Sequence, residues 1–182
     1  MNVLSGRPTA VLAICGSLRR QSSNLAALQA ASLLAPERMR ITIFDGLAAL
    51  PYFNPDLDGD DPPAPVRSFR SAVGRADALL ICSPEYARGV AGLTKNALDW
   101  LVGSFEFPGK PVAVINASQR ATHADAALRL TLETMSARLV EEASISLPLL
   151  GRNLDAAGIA AEPEIGLLLK RALIALADAS LV

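Results

Sequence analysis

Short, nearly continuous apolar runs alternate along the chain with segments whose apolar residues recur every three or four positions. The first pattern suits strands buried on both faces, and the second suits helices lying across them. On that basis strands are expected over Thr9–Cys15, Arg40–Phe44, Ala76–Cys82, Pro111–Ala117 and Glu142–Leu147. Helices are expected over Ser22–Leu34, Val66–Val73, Leu93–Val102, Thr122–Leu139 and Glu162–Ala177. Ser22 and Ser23 can cap the first helix, and Thr122 with Asp125 forms a capping pair for the fourth. Gly74 and Gly103 stop the second and third. Between Asp45 and Pro65 the chain is rich in proline, aspartate and glycine, so it reads as a long ordered loop anchored by Leu50, Pro51, Tyr52 and Phe53.

Strict alternation of strand and helix predicts an α/β fold with a parallel sheet covered on both faces. No internal repeat and no composition break appears, so residues 1–182 are expected to form a single domain. Five strands suit the order 2-1-3-4-5 in a three-layer sandwich, with helices on both faces. In that order the ligand crevice opens between the first and third strands, at their carboxyl ends. The loops after Cys15 and Cys82 should then be neighbours, and the site should lie between them.

Composition narrows the function classes. Of 182 residues 51% are hydrophobic and 19% charged, with a formal net charge of -1. Disorder is excluded by the first figure, and the scattered arginines leave no electrostatic footprint for nucleic acid. The apolar run Ala10–Cys15 is too short for a signal-peptide core, and no segment reaches the roughly 20 apolar residues of a membrane span. A soluble, cytoplasmic protein is the expectation. Cys15 and Cys82 read as small buried hydrophobes, with a redox pair between neighbouring strands as the alternative. With one histidine and no clustered ligands, no metal site is expected.

The loop Gly16-Ser-Leu-Arg-Arg-Gln-Ser-Ser-Asn24 lacks the glycines of the dinucleotide fingerprint and the lysine of a P-loop. It offers Ser17, Ser22, Ser23 and Asn24 as donors, together with Arg19 and Arg20, at the start of a helix. Helix N-termini favour anions, and such a set suits a terminal phosphate; an ordinary capped loop is the other reading. The loop Ser83-Pro-Glu-Tyr-Ala-Arg-Gly-Val90 follows the central strand. There Tyr86 can lie against a planar ring, or can simply pack on the sheet. Lys95 and Asp99 are four apart and read as a surface pair or as a clamp on the second loop or a partner subunit. Trp100 reads as core or interface, His123 as a helix-start residue, and Glu85 as a support for its own loop.

Together these segments resemble the NADPH-dependent FMN reductase family, which has the flavodoxin-like fold. The resemblance is carried by Gly16-Ser17-Leu18-Arg19 with Ser22 and Asn24, by Pro84-Glu85-Tyr86, and by Leu93-Thr-Lys95-Asn96-Ala-Leu-Asp99-Trp100. It spans roughly residues 9 to 145. It implies a bound FMN, with Ser17, Arg19, Ser22 and Asn24 in the phosphate loop and Pro84, Glu85 and Tyr86 along the isoalloxazine ring. Ser118, opening a loop after the fourth strand, is implied to flank the pyrimidine edge. NAD(P)H is the implied co-substrate, and a quinone, flavin, azo or nitro compound, or metal oxyanion the implied acceptor. No catalytic side chain is required. The amides of the Ser118–Arg120 loop would stabilise charge near N1 and O2 of the ring, and Arg19, Arg88 and Arg120 are candidates for the dinucleotide phosphates. Relatives are commonly dimers or tetramers, with the flavin near the subunit interface.

Two departures stand out: Ala87 replaces a frequent asparagine, and the third loop, Ser118-Gln-Arg-Ala-Thr-His123, lacks glycine. Two other functions remain open to the sequence: a non-enzymatic flavin-binding redox module, and a flavin-free NAD(P)-binding dehydrogenase.

Overall fold

The computed structural model describes residues 7–181. In chain order its main elements are β1 (Thr9–Cys15), α1 (Ser23–Leu34), β2 (Met39–Ile43), α2 (Ala64–Arg75) and β3 (Ala78–Cys82). They are followed by β4 (Glu85–Tyr86), β5 (Gly89–Val90), α3 (Gly92–Val102), β6 (Pro111–Asn116) and α4 (Thr122–Thr134). β7 (Arg138–Leu139), β8 (Ile145–Ser146), α5 (Ala156–Ala161) and α6 (Pro163–Ala179) complete the chain.

The main sheet runs β2-β1-β3-β6-β7 with all pairs parallel, and β8 continues alongside β6 beyond β7. This is the expected 2-1-3-4-5 order, with β7 and β8 sharing the fifth place. Because strand side chains alternate between faces, Val11, Ala13 and Cys15 enter one core, and Leu12 and Ile14 the other. Helices α1 and α6 cover the first core, while α2, α3 and α4 cover the second. Phe69, Trp100 and Phe107 are fully buried on the second face, where Phe53 meets Trp100 edge-on at 5.0 Å. Trp100 is therefore core. Cys15 and Cys82 stand in register on β1 and β3, buried as free thiols.

The long loop is ordered by side chains from the helices. Asn96 accepts from the Phe53 amide at 2.8 Å and donates to the Pro51 carbonyl at 3.0 Å, which the Trp100 indole also meets at 2.8 Å. Arg70 donates to the Trp100 carbonyl and pairs with Asp58 at 2.7 Å, both side chains being mostly buried.

Several sequence expectations need correction. The fourth helix stops at Thr134 rather than Leu139. Ser136 takes the left-handed conformation at φ 63, its amide bonds to Glu133, and the Ala137 amide reaches back to Leu132. That is a Schellman stop with serine where glycine is usual. Residues beyond it turn into β7. The fifth strand is broken by a turn of 3-10 helix at Glu141–Ala143, where Ser144 Oγ replaces a strand carbonyl and accepts from the Val114 amide at 3.1 Å. Thr122 and Asp125 do not cap α4; its N-cap, Ala121, has no side-chain bond, and Asp125 pairs with Arg129. The hairpin of β4 and β5 and the short α5 were not anticipated.

Candidate functional site

β1, β3 and β6 all end on one edge of the sheet, and the segments that follow them enclose a crevice of about 450 Å³. That volume lies within the ordinary range for small-molecule sites. Ser17, Arg19, Ser22, Ser23 and Asn24 form one wall, Pro84, Glu85 and Tyr86 a second, and Ser118 and Arg120 a third. All nine residues singled out as site candidates thus line one space. The sequence reading missed a fourth wall, Leu150, Gly151 and Asn153. Topology could have found it, because in a parallel sheet the loop after the fifth strand opens on the same edge.

The first wall is tied to the sheet at its base. The Gly16 amide donates to the Cys82 carbonyl at 2.8 Å, joining the ends of β1 and β3. No larger residue fits at position 16, since a Cβ there would lie 2.1 Å from Thr94 Oγ1 and 2.8 Å from Ser83 Oγ. The chain then climbs to Ser22, the N-cap of α1, whose hydroxyl accepts from the Leu25 amide at 3.3 Å and whose carbonyl accepts from Ala26. Of the four amides a helix start leaves unpaired, only that of Leu25 is capped, and those of Ser22, Ser23 and Asn24 remain for a ligand. Asn24 Oδ1 is held by the Cys82 thiol at 3.2 Å. Burial pushes both thiols beneath this loop up, Cys82 most strongly, so each stays protonated at neutral pH.

The second and third walls are fastened to each other. Glu85 accepts from the Ala124 amide at 2.8 Å, so a carboxylate from the second loop caps α4. Glu85, expected to support its own loop, does so by reaching across to α4, and this explains why α4 needs no local cap. Buried Asn116 staples the third loop: its Oδ1 accepts from the Ser118 amide at 3.0 Å and its Nδ2 donates to the Ala121 carbonyl at 3.2 Å. Ser118 Oγ accepts from the Arg120 amide at 3.3 Å. The expectation that the Ser118–Arg120 amides serve a ligand therefore narrows. Those of Ser118 and Arg120 are engaged within the loop, leaving Gln119. Asn116 is itself a site residue the sequence reading passed over.

Tyr86 is 59% exposed and lines the crevice, so it does not pack on the sheet. Beyond it Ala87 and Arg88 take left-handed backbones at φ 49 and 59, the turn that closes a two-residue hairpin. Neither lines the crevice. Lys95 and Asp99 form an ion pair within α3, and His123 is an exposed residue of the first turn of α4. No cluster of metal-ligating side chains occurs among the described residues. None of their helices is long and apolar enough to cross a membrane.

Residues 9–149 match the family model for NADPH-dependent FMN reductase. The chain belongs to that family. Among curated members of the NADPH-dependent FMN reductase family and their relatives, it is 44% identical over 110 residues to an NAD(P)H-dependent FMN reductase of Pseudomonas aeruginosa, covering 59% of each chain. It is 39% identical over 113 residues to a quinone reductase of Pseudomonas putida, again covering 59% of each. The chain thus spans about 59% of the length of these curated relatives. In structure it resembles FerB, a flavoenzyme NAD(P)H:(acceptor) oxidoreductase from Paracoccus denitrificans, with TM-score 0.79 and 27% identity over 94% of this chain and 97% of that one. For a member of the FMN reductase family, Ala87 has a physical meaning. Asparagine tolerates the left-handed backbone better than alanine, so the departure weakens the turn rather than removing a contact to the crevice.

Proposed function

We propose that this chain binds FMN in the crevice and works as an NAD(P)H-dependent quinone reductase. The observation that carries the reading is the convergence of all nine candidate residues on one crevice of suitable volume. The donor chemistry fits the group. Three unpaired helix-start amides, the hydroxyls of Ser17 and Ser23 and the Arg19 guanidinium would hold the phosphate. Pro84 and Tyr86 would border the ring, with the Gln119 amide and Ser118 at its pyrimidine edge. Once bound, flavin would take a hydride from NAD(P)H and pass two electrons to the acceptor.

The protein's contribution is position and charge. Glu85 fixes the distance between the two loops bordering the ring, and Asn116 fixes the shape of the third. Arg19 and Arg120 line the crevice, and among the described residues no carboxylate pairs with either, so both are available to the dinucleotide phosphates. Arg88 lies off the crevice and is the weaker candidate. A quinone acceptor is supported by the names of the relatives, which include a 2-hydroxy-1,4-benzoquinone reductase of a Burkholderia species at 39% identity over 111 residues. Tyr52, Val102 and Phe105, exposed at 91%, 63% and 98%, support assembly of two or more copies through the α3 side.

The test is a visible spectrum of the protein with FMN, followed by anaerobic NADPH, then NADH, then a quinone. A perturbed flavin band that bleaches with a nucleotide and recovers with the quinone is the expected result. No bound signature at saturating FMN would overturn the reading. Bound flavin that neither nucleotide bleaches would instead favour a non-enzymatic flavin-binding module.

A further inference from the structure

A second cavity, of about 520 Å³, opens on the other side of the first loop, between α1 and the segment leading into α5. It shares Gln21, Ser22, Ser23 and Asn153 with the crevice, so the two spaces meet across a common lip. We propose that this cavity receives the adenosine diphosphate end of the nicotinamide dinucleotide, with Arg20 meeting its phosphates.

The walls divide by chemistry in a way that suits such a ligand. Leu25, Ala26, Leu154 and Ala156 give a half-buried apolar floor of short side chains, open enough for a planar purine. Gln29 stands at the same cavity with amide donors and acceptors able to meet a base edge. Arg20, next in sequence to the shared Gln21, lines the same cavity, exposed and with no carboxylate partner among the described residues. The cavity's one carboxylate, Asp155, keeps its charge and caps α5 by accepting from the Gly158 amide at 2.7 Å, without forming an ion pair with Arg20. An apolar slot beside an unneutralised guanidinium selects a ligand with an aromatic ring at one end and an anion at the other. A nucleoside diphosphate has that form. Continuity with the crevice identifies it as the distal half of a molecule whose other half reaches the flavin.

This inference rests on the crevice being the flavin site, and the experiment separates the two. Adenosine diphosphate ribose, which carries the diphosphate end without nicotinamide, is titrated calorimetrically into the FMN-loaded protein, its Arg20→Ala variant and its Ala26→Trp variant. Neither residue lines the crevice. Losing a charged contact should weaken binding by about tenfold or more in Arg20→Ala. The indole of Ala26→Trp should fill the floor and abolish binding, while both variants bind FMN as the parent does. Unchanged affinity in Arg20→Ala, whose exposed side chain leaves the fold intact, would overturn the proposal. So would competition between the probe and FMN, which would put the probe in the crevice. Steady-state kinetics give an independent readout. KM should rise for NADPH in both variants yet stay fixed for reduced nicotinamide mononucleotide, which has no adenosine. FMN titration followed by absorbance is read separately, and its failure would overturn the flavin assignment alone.

Discussion

Replacing Gly16 by alanine should destabilise the protein by about 3 kcal/mol, through one identifiable collision. The added methyl would sit 2.1 Å from Thr94 Oγ1 and 2.8 Å from Ser83 Oγ, closer than any real Cβ contact. Both hydroxyls are bonded to each other at 2.8 Å, and Thr94 is only 1% exposed. Relief therefore requires turning a stiff β-branched side chain inside a helix or moving the loop, at an overpacking cost of about 1–3 kcal/mol. Either movement parts the Ser83–Thr94 bond and leaves a buried hydroxyl unsatisfied, adding about 1 kcal/mol or more. For a chain of this size such a loss corresponds to a Tm lower by roughly 6–12 °C. Urea unfolding would measure it in a double-mutant cycle with Thr94→Ala, which removes the colliding oxygen. The two substitutions together should cost at least about 1.5 kcal/mol less than the sum of the single changes. Additivity within about 0.5 kcal/mol would refute the collision as the cause. FMN supplies a second reading, because a ligand at 100 times its Kd adds about 2.7 kcal/mol to stability. That increment should shrink in Gly16→Ala if the phosphate loop is what yields.

Three further outcomes follow from the loops and caps. Changing Ala87-Arg88 to Asn-Gly should stabilise the protein by about 1 kcal/mol, raising Tm by about 2–4 °C, because both positions hold left-handed backbones that this pair accepts readily; an unchanged or lower Tm would contradict the turn assignment. Removing the long-range cap with Glu85→Ala should cost about 1 kcal/mol by thermal unfolding and weaken FMN about tenfold by fluorescence titration, since two walls come apart together. A stability loss with unchanged FMN affinity would show that Glu85 does not set the crevice. Glu162 caps α6 through the Ile165 and Glu164 amides and meets Arg152, and these contacts hold its carboxyl below its ordinary value of 4.5. The folded pKa being the lower one, its stabilisation is present above pH 4.5 and is lost as pH falls through the folded value. The Tm gap between the parent and Glu162→Gln should therefore be open at pH 7 and close in acid, and a gap independent of pH would exclude a role for the carboxylate charge.

The strands that build the floor of the crevice were legible because parallel strands covered on both faces leave near-continuous apolar runs. Thr9–Cys15 was read with its observed boundaries, and Ala78–Cys82 with an overrun of two residues. Their order, and hence the nearness of the loops after Cys15 and Cys82, followed from strict alternation. What stayed hidden was structure whose cause is distant or atypical. The Ser136 stop carries no glycine, so the helical periodicity appeared to run on to Leu139. The β4–β5 hairpin turns on Ala87-Arg88, a pair with no turn signature. The cap of α4 comes from Glu85, 39 residues earlier, which no local pattern can reveal. Helix α5 has a local signal in Asp155, its N-cap, but at six residues it is too short to show a clear helical periodicity.

These hidden features share a physical consequence for the site. Loops that meet a flavin phosphate or ring are often built from glycine, which allows close approach and leaves the backbone free to move. Here the third loop has none, and its shape comes from Asn116, whose amide bonds the loop at both ends. The second loop is fixed at Glu85 and the first at Gly16, where only the smallest residue can pass beneath Thr94 and Ser83. Each of these three walls is thus ordered by contacts with the protein around it rather than by the ligand. A crevice fixed in that way spends little binding energy on ordering its own walls, so affinity should depend on how well its fixed spacing matches the ligand. The charge at the rim is of another kind: Arg19 and Arg120 are long, exposed and without carboxylate partners among the described residues. Rigid walls suit a resident cofactor, and adaptable guanidinium groups suit substrates that arrive and leave at every turnover.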